Sequence, residues 1–259
     1  MDRRDFIIKG ASFLTASLFG LNGLSKVFAS GGDCGPTSFN PRIALIIDDI
    51  GYHLPPAKRF LSLKAPITYS ILPHLPRSRE LAAAIHGEGH EIMLHQPMEP
   101  FNREIDPGPG ALYVKYGSQK IAGIMEKNIA EIPFALGMNN HMGSRFTTRR
   151  NCVFEALKIV KEKNLFFVDS VTSSRSAAYQ TARDLRMTAA FRNVFLDTWL
   201  DPSRIRAQLH KLKWHAWRYG TAIGIGHPFP ETARAVEGFI RALKHTDISL
   251  VHISKVLNG

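Results

Sequence analysis

The sequence predicts an α/β fold in which seven or eight βα units build a parallel sheet or barrel. Three observations carry this. Short apolar runs alternate with helical patterns from residue 42 onward, and most of these runs are apolar throughout, as strands buried on both faces should be. Polar side chains able to do chemistry also recur at the ends of the runs. In parallel barrels and open α/β sheets that edge carries the site, because the following loops vary freely there.

The first 29 residues stand apart from this pattern. Arg3-Arg4, with Phe6 and Lys9 behind them, precede an apolar stretch over residues 10–24, and Val27-Phe28-Ala29 places small residues before Ser30. That combination resembles a twin-arginine signal peptide, which implies export to a periplasmic or extracellular location. The alternatives are a buried N-terminal helix or an uncleaved anchor. The apolar stretch is short for a ~30 Å hydrocarbon core and is interrupted by Gly20, Asn22 and Gly23. No later stretch approaches a membrane span, so the mature protein is expected to have no transmembrane domain.

Residues 30–41 are rich in Gly, Ser, Pro and Asn and read as a flexible linker, leaving 42–259 as one catalytic-sized domain. Its strands are expected at 43–47, 67–72, 91–94, 135–139, 165–168, 190–196, 222–225 and 250–253. The helices between them are expected at 79–87, 118–132, 150–163, 202–219 and 231–245, several opened by Ser, Pro or Thr. Residues 97–117 form a long irregular stretch, and loops of that length in compact domains are often functional.

The formal net charge is +11, and the signal, with four basic and two acidic residues, accounts for two of those units. An exported cationic protein meets wall polymers and lipid head groups, so the charge reads as an affinity for such surfaces, with no nucleic-acid partner. Ordinary solubility is the plainer alternative, because the basic residues are scattered. The cysteines, Cys34 and Cys152, have no metal spacing; an oxidising compartment permits one bridge, which spacing alone does not decide.

Asp48-Asp49 follow the first expected strand, His95 the third, His141 the fourth, Asp169 the fifth, Asp197 the sixth and His227 the seventh. Adjacent carboxylates after an apolar strand are costly unless a cation or a proton-transfer role compensates them. Neighbouring side chains diverge, so one can bind a metal while the other serves as a base; capping a following helix is the alternative. Asp49, His95 and His141 together would make an N,N,O metal site with open positions for water and substrate. Glu99 is a further ligand type, and Arg145 can hold a carboxylate.

Ile46-Ile47-Asp48-Asp49-Ile50-Gly51, with Gly89-His90-Glu91-Ile92 leading to His95, resembles the divergent polysaccharide deacetylases, relatives of the NodB-like carbohydrate esterases. The resemblance implies a distorted, NodB-like (β/α) barrel and a divalent metal, zinc in the first instance. It implies Asp48 as general base, Asp49, His95 and His141 as metal ligands, Arg145 as the group steadying the base, and His227 as general acid. It also places Asp169 in the pocket wall; for Asp197 the alternatives are a place in the site and a helix cap. The parent family has a second metal histidine where this chain has Glu99. The implied reaction removes N- or O-acetyl groups from an envelope polysaccharide or peptidoglycan-like substrate. A glycan-binding protein that keeps the pocket without turnover is the rival, and a metal phosphoesterase is disfavoured because no Gly-rich phosphate cradle is present.

Overall fold

The computed structural model describes residues 40–52 and 54–257. The signal at 1–29, most of the linker at 30–41, and Cys34 lie outside the described residues, whereas Cys152 is half-buried.

A nine-stranded, wholly parallel sheet forms the centre. Its strands are β1 (Arg42–Ile50), β2 (Thr68–Ile71), β3 (Glu91–Met98), β4 (Ala135–Met142), β5 (Phe166–Asp169), β6 (Ala189–Phe191), β7 (Val194–Phe195), β8 (Thr221–Gly226) and β9 (Ser249–Val251). The main path runs β6-β5-β4-β3-β2-β1-β8-β7. β9 pairs with Arg42–Ala44, and β2 takes over from Ile46 onward. The helices are α1 (Leu54–Leu61), α2 (Ser78–Gly87), α3 (Ser118–Glu131), α4 (Arg150–Glu162), α5 (Ala178–Asp184), α6 (Pro202–Tyr219), α7 (Pro230–Leu243) and α8 (Ile253–Leu257).

The two ends of the sheet path are consecutive in the chain, which curls the sheet into a distorted barrel. The sequence reads 190–196 as one strand, but the chain changes neighbours midway. Arg192 N donates to Asp169 O at 2.9 Å, and Asn193 N to Ile223 O at 2.9 Å, so this segment passes from β5 to β8.

Alternation along the strands explains the uninterrupted apolar runs. Ile43, Leu45 and Ile47 join the cluster beneath the helices, whereas Ala44 and Ile46 join Met93, Val168, Ile223 and Ile225 in a second cluster. Each of the Ile, Leu, Val and Met side chains among them, fully buried, contributes about 1.5–3 kcal/mol. Both sheet faces therefore demand apolar residues, and any polar group on them needs a partner.

The end of the barrel at the strand N-termini is covered by α8. Its Ile253 belongs to the inner cluster, and Ile253 N donates to Thr68 Oγ1 at 3.1 Å. Ser254 donates to the Glu91 carboxylate, with N to Oε2 at 3.1 Å. Ile253 therefore begins a helix, where the sequence pattern places the end of a strand.

β3 and β4 run further than their apolar cores predict. Their pairing continues from Leu94↔Met138 through His95↔Asn139 to Met98↔Met142. His95 and His141 consequently lie within strands, held by ladder bonds. Beyond Met98, the chain from 99 to 117 returns to the sheet, with Leu112 N on Pro97 O and Glu99 N on Leu112 O, both at 2.9 Å.

Candidate metal centre

The site begins with an irregularity in β1. The register with β2 shifts between Ile47 and Ile50, and Asp49 has φ +58°, a left-handed conformation that Asp tolerates better than most residues. In a regular strand adjacent side chains point to opposite faces. Here both carboxylates reach the same imidazole. Asp49 Oδ1 lies 3.2 Å from His95 Nε2, and Asp48 Oδ2 lies 3.5 Å from it. The expectation that these neighbours diverge is corrected by this local kink.

His141 enters from the adjoining strand. Its Nδ1 is 2.9 Å from Asp49 Oδ1 and 3.2 Å from His95 Nε2. One carboxylate oxygen and two imidazole nitrogens thus share a small volume, and Asp49, His95 and His141 form a group able to hold a metal ion.

The surrounding hydrogen bonds fix the tautomer of His95. Asn139 Nδ2 donates to Asp48 Oδ1 at 2.9 Å, which settles the direction of the amide. Asn139 Oδ1 then accepts from Ser70 Oγ and, at 2.8 Å, from His95 Nδ1. Neutral His95 therefore presents a bare Nε2 to two carboxylates. Acceptors so close require a proton or a metal cation between them, and an N,N,O donor set with an orienting amide behind one histidine suits zinc.

Charge follows the same geometry. Burial pushes the Asp48 carboxyl up, partly offset by His95 and His227. Burial also acts on Asp49, but its hydrogen bonds to His141 and His95 outweigh that and hold it well below the usual carboxylate range. Burial opposes a charge on His95, yet Asp48 and Asp49 together raise its pKa.

On the opposite side, from the end of β8, stands His227. Its Nε2 is 3.8 Å from Asp49 Oδ2, and its Nδ1 donates to Asp197 Oδ1 at 2.9 Å. Asp197 Oδ2 also accepts from His227 N at 2.6 Å and from Thr232 Oγ1 at 2.8 Å. Asp197 thereby orients the imidazole and ties the first turn of α7 to it. Burial disfavours the imidazolium, but Asp197 prevails and pushes the His227 pKa up to about 9.

Three expected members are placed elsewhere. Glu99 Oε1 accepts from Arg145 Nη1 and Oε2 from Val114 N, both at 2.7 Å, so Glu99 anchors the 99–117 loop and stands outside the ligand group. Arg145 is correspondingly paired with Glu99, where the resemblance has it steadying Asp48. Asp169 accepts from Val171 N at 2.8 Å, Ser176 Oγ at 2.7 Å and Tyr179 N at 3.1 Å. Its carboxylate organises the turn into α5.

Sequence reading assigns no role to three contributors. Ser70 and Asn139 carry the signal of being polar within otherwise apolar strands, and both are 0% exposed. Arg192 sits where the chain crosses between β5 and β8, donating Nε to Ser170 O at 2.7 Å and Nη2 to Val171 O at 3.0 Å. Its burial lowers its pKa, against the pull of Asp169 and Asp48.

A curled parallel α/β sheet with an Asp-His-His group at the strand C-termini is the NodB-like architecture, and comparison with known proteins narrows it. Residues 45–257 match the divergent polysaccharide deacetylase family. Protein YibQ of Escherichia coli strain K12 is 33% identical over 217 residues, covering 84% of this chain and 67% of YibQ. The crystal structure of protein ATU2773 from Agrobacterium tumefaciens C58 shares the fold with a TM-score of 0.80 at 24% identity, over 84% of this chain and 89% of that one. A CE4 family pseudoenzyme from Bacillus anthracis, BA3943, shares it with a TM-score of 0.54 at 15% identity, over 84% and 66% of the two chains. The chain belongs to the divergent polysaccharide deacetylases.

Proposed function

We propose that the protein is an exported, metal-dependent hydrolase that removes N- or O-acetyl groups from a cell-envelope polysaccharide. The observation that carries this is the meeting of Asp49 Oδ1, His95 Nε2 and His141 Nδ1 within 2.9–3.2 Å of one another, beside the buried Asp48. Asp49, His95 and His141 would hold the divalent cation, zinc by its donor set. When bound, such a cation supplies a Lewis acid for the acetyl carbonyl and acidifies water.

The chain's own residues do the proton work. Asp48, raised by burial towards the working range of a base, accepts a proton from the attacking water. Asn139 holds that carboxylate by one oxygen and leaves the other facing His95. His227, charged at neutral pH, hands its Nε2 proton to the departing amine or alcohol, while Asp197 stabilises the charge until transfer. Export rests on Arg3-Arg4, the apolar stretch and the small residues before Ser30.

One observation favours a second reading, a non-catalytic envelope glycan-binding protein. Glu99, standing where the parent family has a metal histidine, is engaged by Arg145. BA3943, of the same fold, is a pseudoenzyme, and one mutant of it has restored activity.

Metal analysis paired with acetate release from N-acetylated envelope glycans separates the two. Asp48→Asn should lower release by ~10²–10⁴-fold while metal content holds, as for loss of a general base. A fully metallated wild type that releases no acetate, yet binds those glycans as well as Asp48→Asn does, establishes the binding protein instead.

A further inference from the structure

The outer face of α6 has a composition that the site does not explain. Ile205, Leu209, Leu212 and Ala216 fill the buried face of this helix. The opposite face carries Trp214 and Trp217, 51% and 65% exposed, followed by Tyr219 at 62%. Two tryptophans spaced i, i+3 on one exposed stripe form a patch rather than scattered surface apolar residues.

The charges around them have one sign. Residues 202–219 contain Arg204, Arg206, Lys211, Lys213 and Arg218 and no Asp or Glu. Among the described residues, no ion pair involves any of these cations. The neighbouring α7 adds to the field. The groove of about 380 Å³ between α7 and α1 is lined by Arg59, Arg234, Arg241 and Lys244; Arg234 pairs with Glu231 and Arg241 with Glu237, so among the described residues Arg59 and Lys244 are the cations there without an ion pair.

We propose that the C-terminal end of α6 docks on an anionic lipid bilayer, with Trp214 and Trp217 at the headgroup level and the cations on lipid phosphates. Tryptophan and tyrosine rings beside Lys and Arg are the composition suited to a membrane–water interface. The net charge of +11, of which +9 lies beyond the expected signal, complements an anionic leaflet. The placement is also consistent with access to the site. Gly220 links α6 directly to the start of β8, so the tryptophans lie at the strand N-termini, while Asp49, His95 and His141 lie at the C-terminal edge. Docking by this face leaves the pocket directed away from the bilayer. The proposal does not depend on acetyl hydrolysis.

The protein contains three tryptophans, Trp199, Trp214 and Trp217, which gives a selective readout in the full chain. In Trp199→Phe, emission comes from α6 alone, so binding through any other segment does not contribute. Vesicles of phosphatidylglycerol with brominated acyl chains should shift that emission to the blue and quench it; phosphatidylcholine vesicles should do neither at physiological salt. Lys211→Gln with Arg218→Gln should weaken partitioning about thirty-fold, at roughly one kcal/mol per charge. The companion Trp214→Phe/Trp217→Phe, reporting from Trp199, should show no quenching. The proposal is overturned if the chain sediments with the anionic vesicles while the α6 emission is unquenched, or if Trp199 is the quenched residue. It is equally overturned if dextran sulfate shifts the emission and brominated lipid does not quench it.

Discussion

His95 Nδ1 donates to Asn139 Oδ1 across 2.8 Å, and this bond decides what the other side of the ring can do. It commits Nε2 of the neutral ring to be an acceptor, facing Asp49. Asn139 holds Asp48 through its amide nitrogen, so one side chain orients both the proposed metal ligand His95 and the proposed base. Asn139→Leu should lower zinc affinity by about 10–100-fold, the usual effect of removing a group that orients a metal ligand. The same change leaves Ser70 and Asp48 without that partner, costing roughly 1–3 kcal/mol. Calorimetric zinc titration and thermal unfolding read the two effects separately. Unchanged zinc affinity would show that the ring is oriented by something else.

Arg145 and Glu99 supply a contrasting prediction. Their side chains are 19% and 10% exposed, and the pair anchors the 99–117 loop. Arg145→Ala should destabilise the fold by roughly 3 kcal/mol, because it leaves a buried carboxylate without its counter-ion. Metal stoichiometry should not change. An Arg145→Ala protein of undiminished melting temperature, with activity lost at full metal content, would restore Arg145 to the role of steadying Asp48.

These two positions mark how far the site is legible in sequence. Asp49, His95 and His141 are recognisable because metal-ligating types recur at the ends of apolar strands, a periodic signal. The partner of Arg145 is not, since Glu99 and Asp48 are both acidic and only the path of the 99–117 loop chooses between them. The kink at Asp49 is likewise hidden: a left-handed φ at an Asp follows from tertiary strain and leaves no mark in hydrophobic pattern. Most strands and the helices 118–131, 150–162 and 202–219 were readable from periodicity. The short α1, α5 and α8 were not, having too few turns to display a period. The crossing from β6 to β7 is hidden because one apolar run serves two neighbours.

A pH dependence of stability is expected from the end of the barrel remote from the site. His90 and His252 have ring centroids 6.2 Å apart, and both have lowered pKa values. Burial is the main cause for each; His90 also feels His252, and Lys255 adds to the effect on His252, while Glu88 and Glu91 oppose it. A histidine whose folded pKa lies below its unfolded value binds fewer protons when folded. Its stabilisation is therefore present above pH ~6.5 and is lost as the pH falls below that. Melting temperature should drop between pH 7 and 5, and His252→Gln should flatten that slope. A slope that stays the same in the variant assigns the acid sensitivity to other groups.

Asp197 touches His227 and stands outside the Asp49, His95 and His141 group. Its Oδ1 accepts from His227 Nδ1 at 2.9 Å, the contact chiefly responsible for a pKa pushed up to about 9. A proton donor acts while it is protonated, so activity limited by His227 persists at neutral pH and declines as the pH rises through that value. Asp197→Asn keeps the size of the side chain and removes its charge. The alkaline limb of the pH–rate profile should then move down by about 1–3 pH units, the range over which a contacting opposite charge shifts a pKa. Stability should respond with the same sign: the contribution from charged His227, full below pH ~6.5 and lost as the pH rises through about 9, should largely disappear in Asp197→Asn. Zinc content is the control, because Asp49, His95 and His141 are untouched. If the rate falls uniformly and the alkaline limb stays in place at full metal content, Asp197 serves only to fasten α7 through Thr232, and the proton comes from another group.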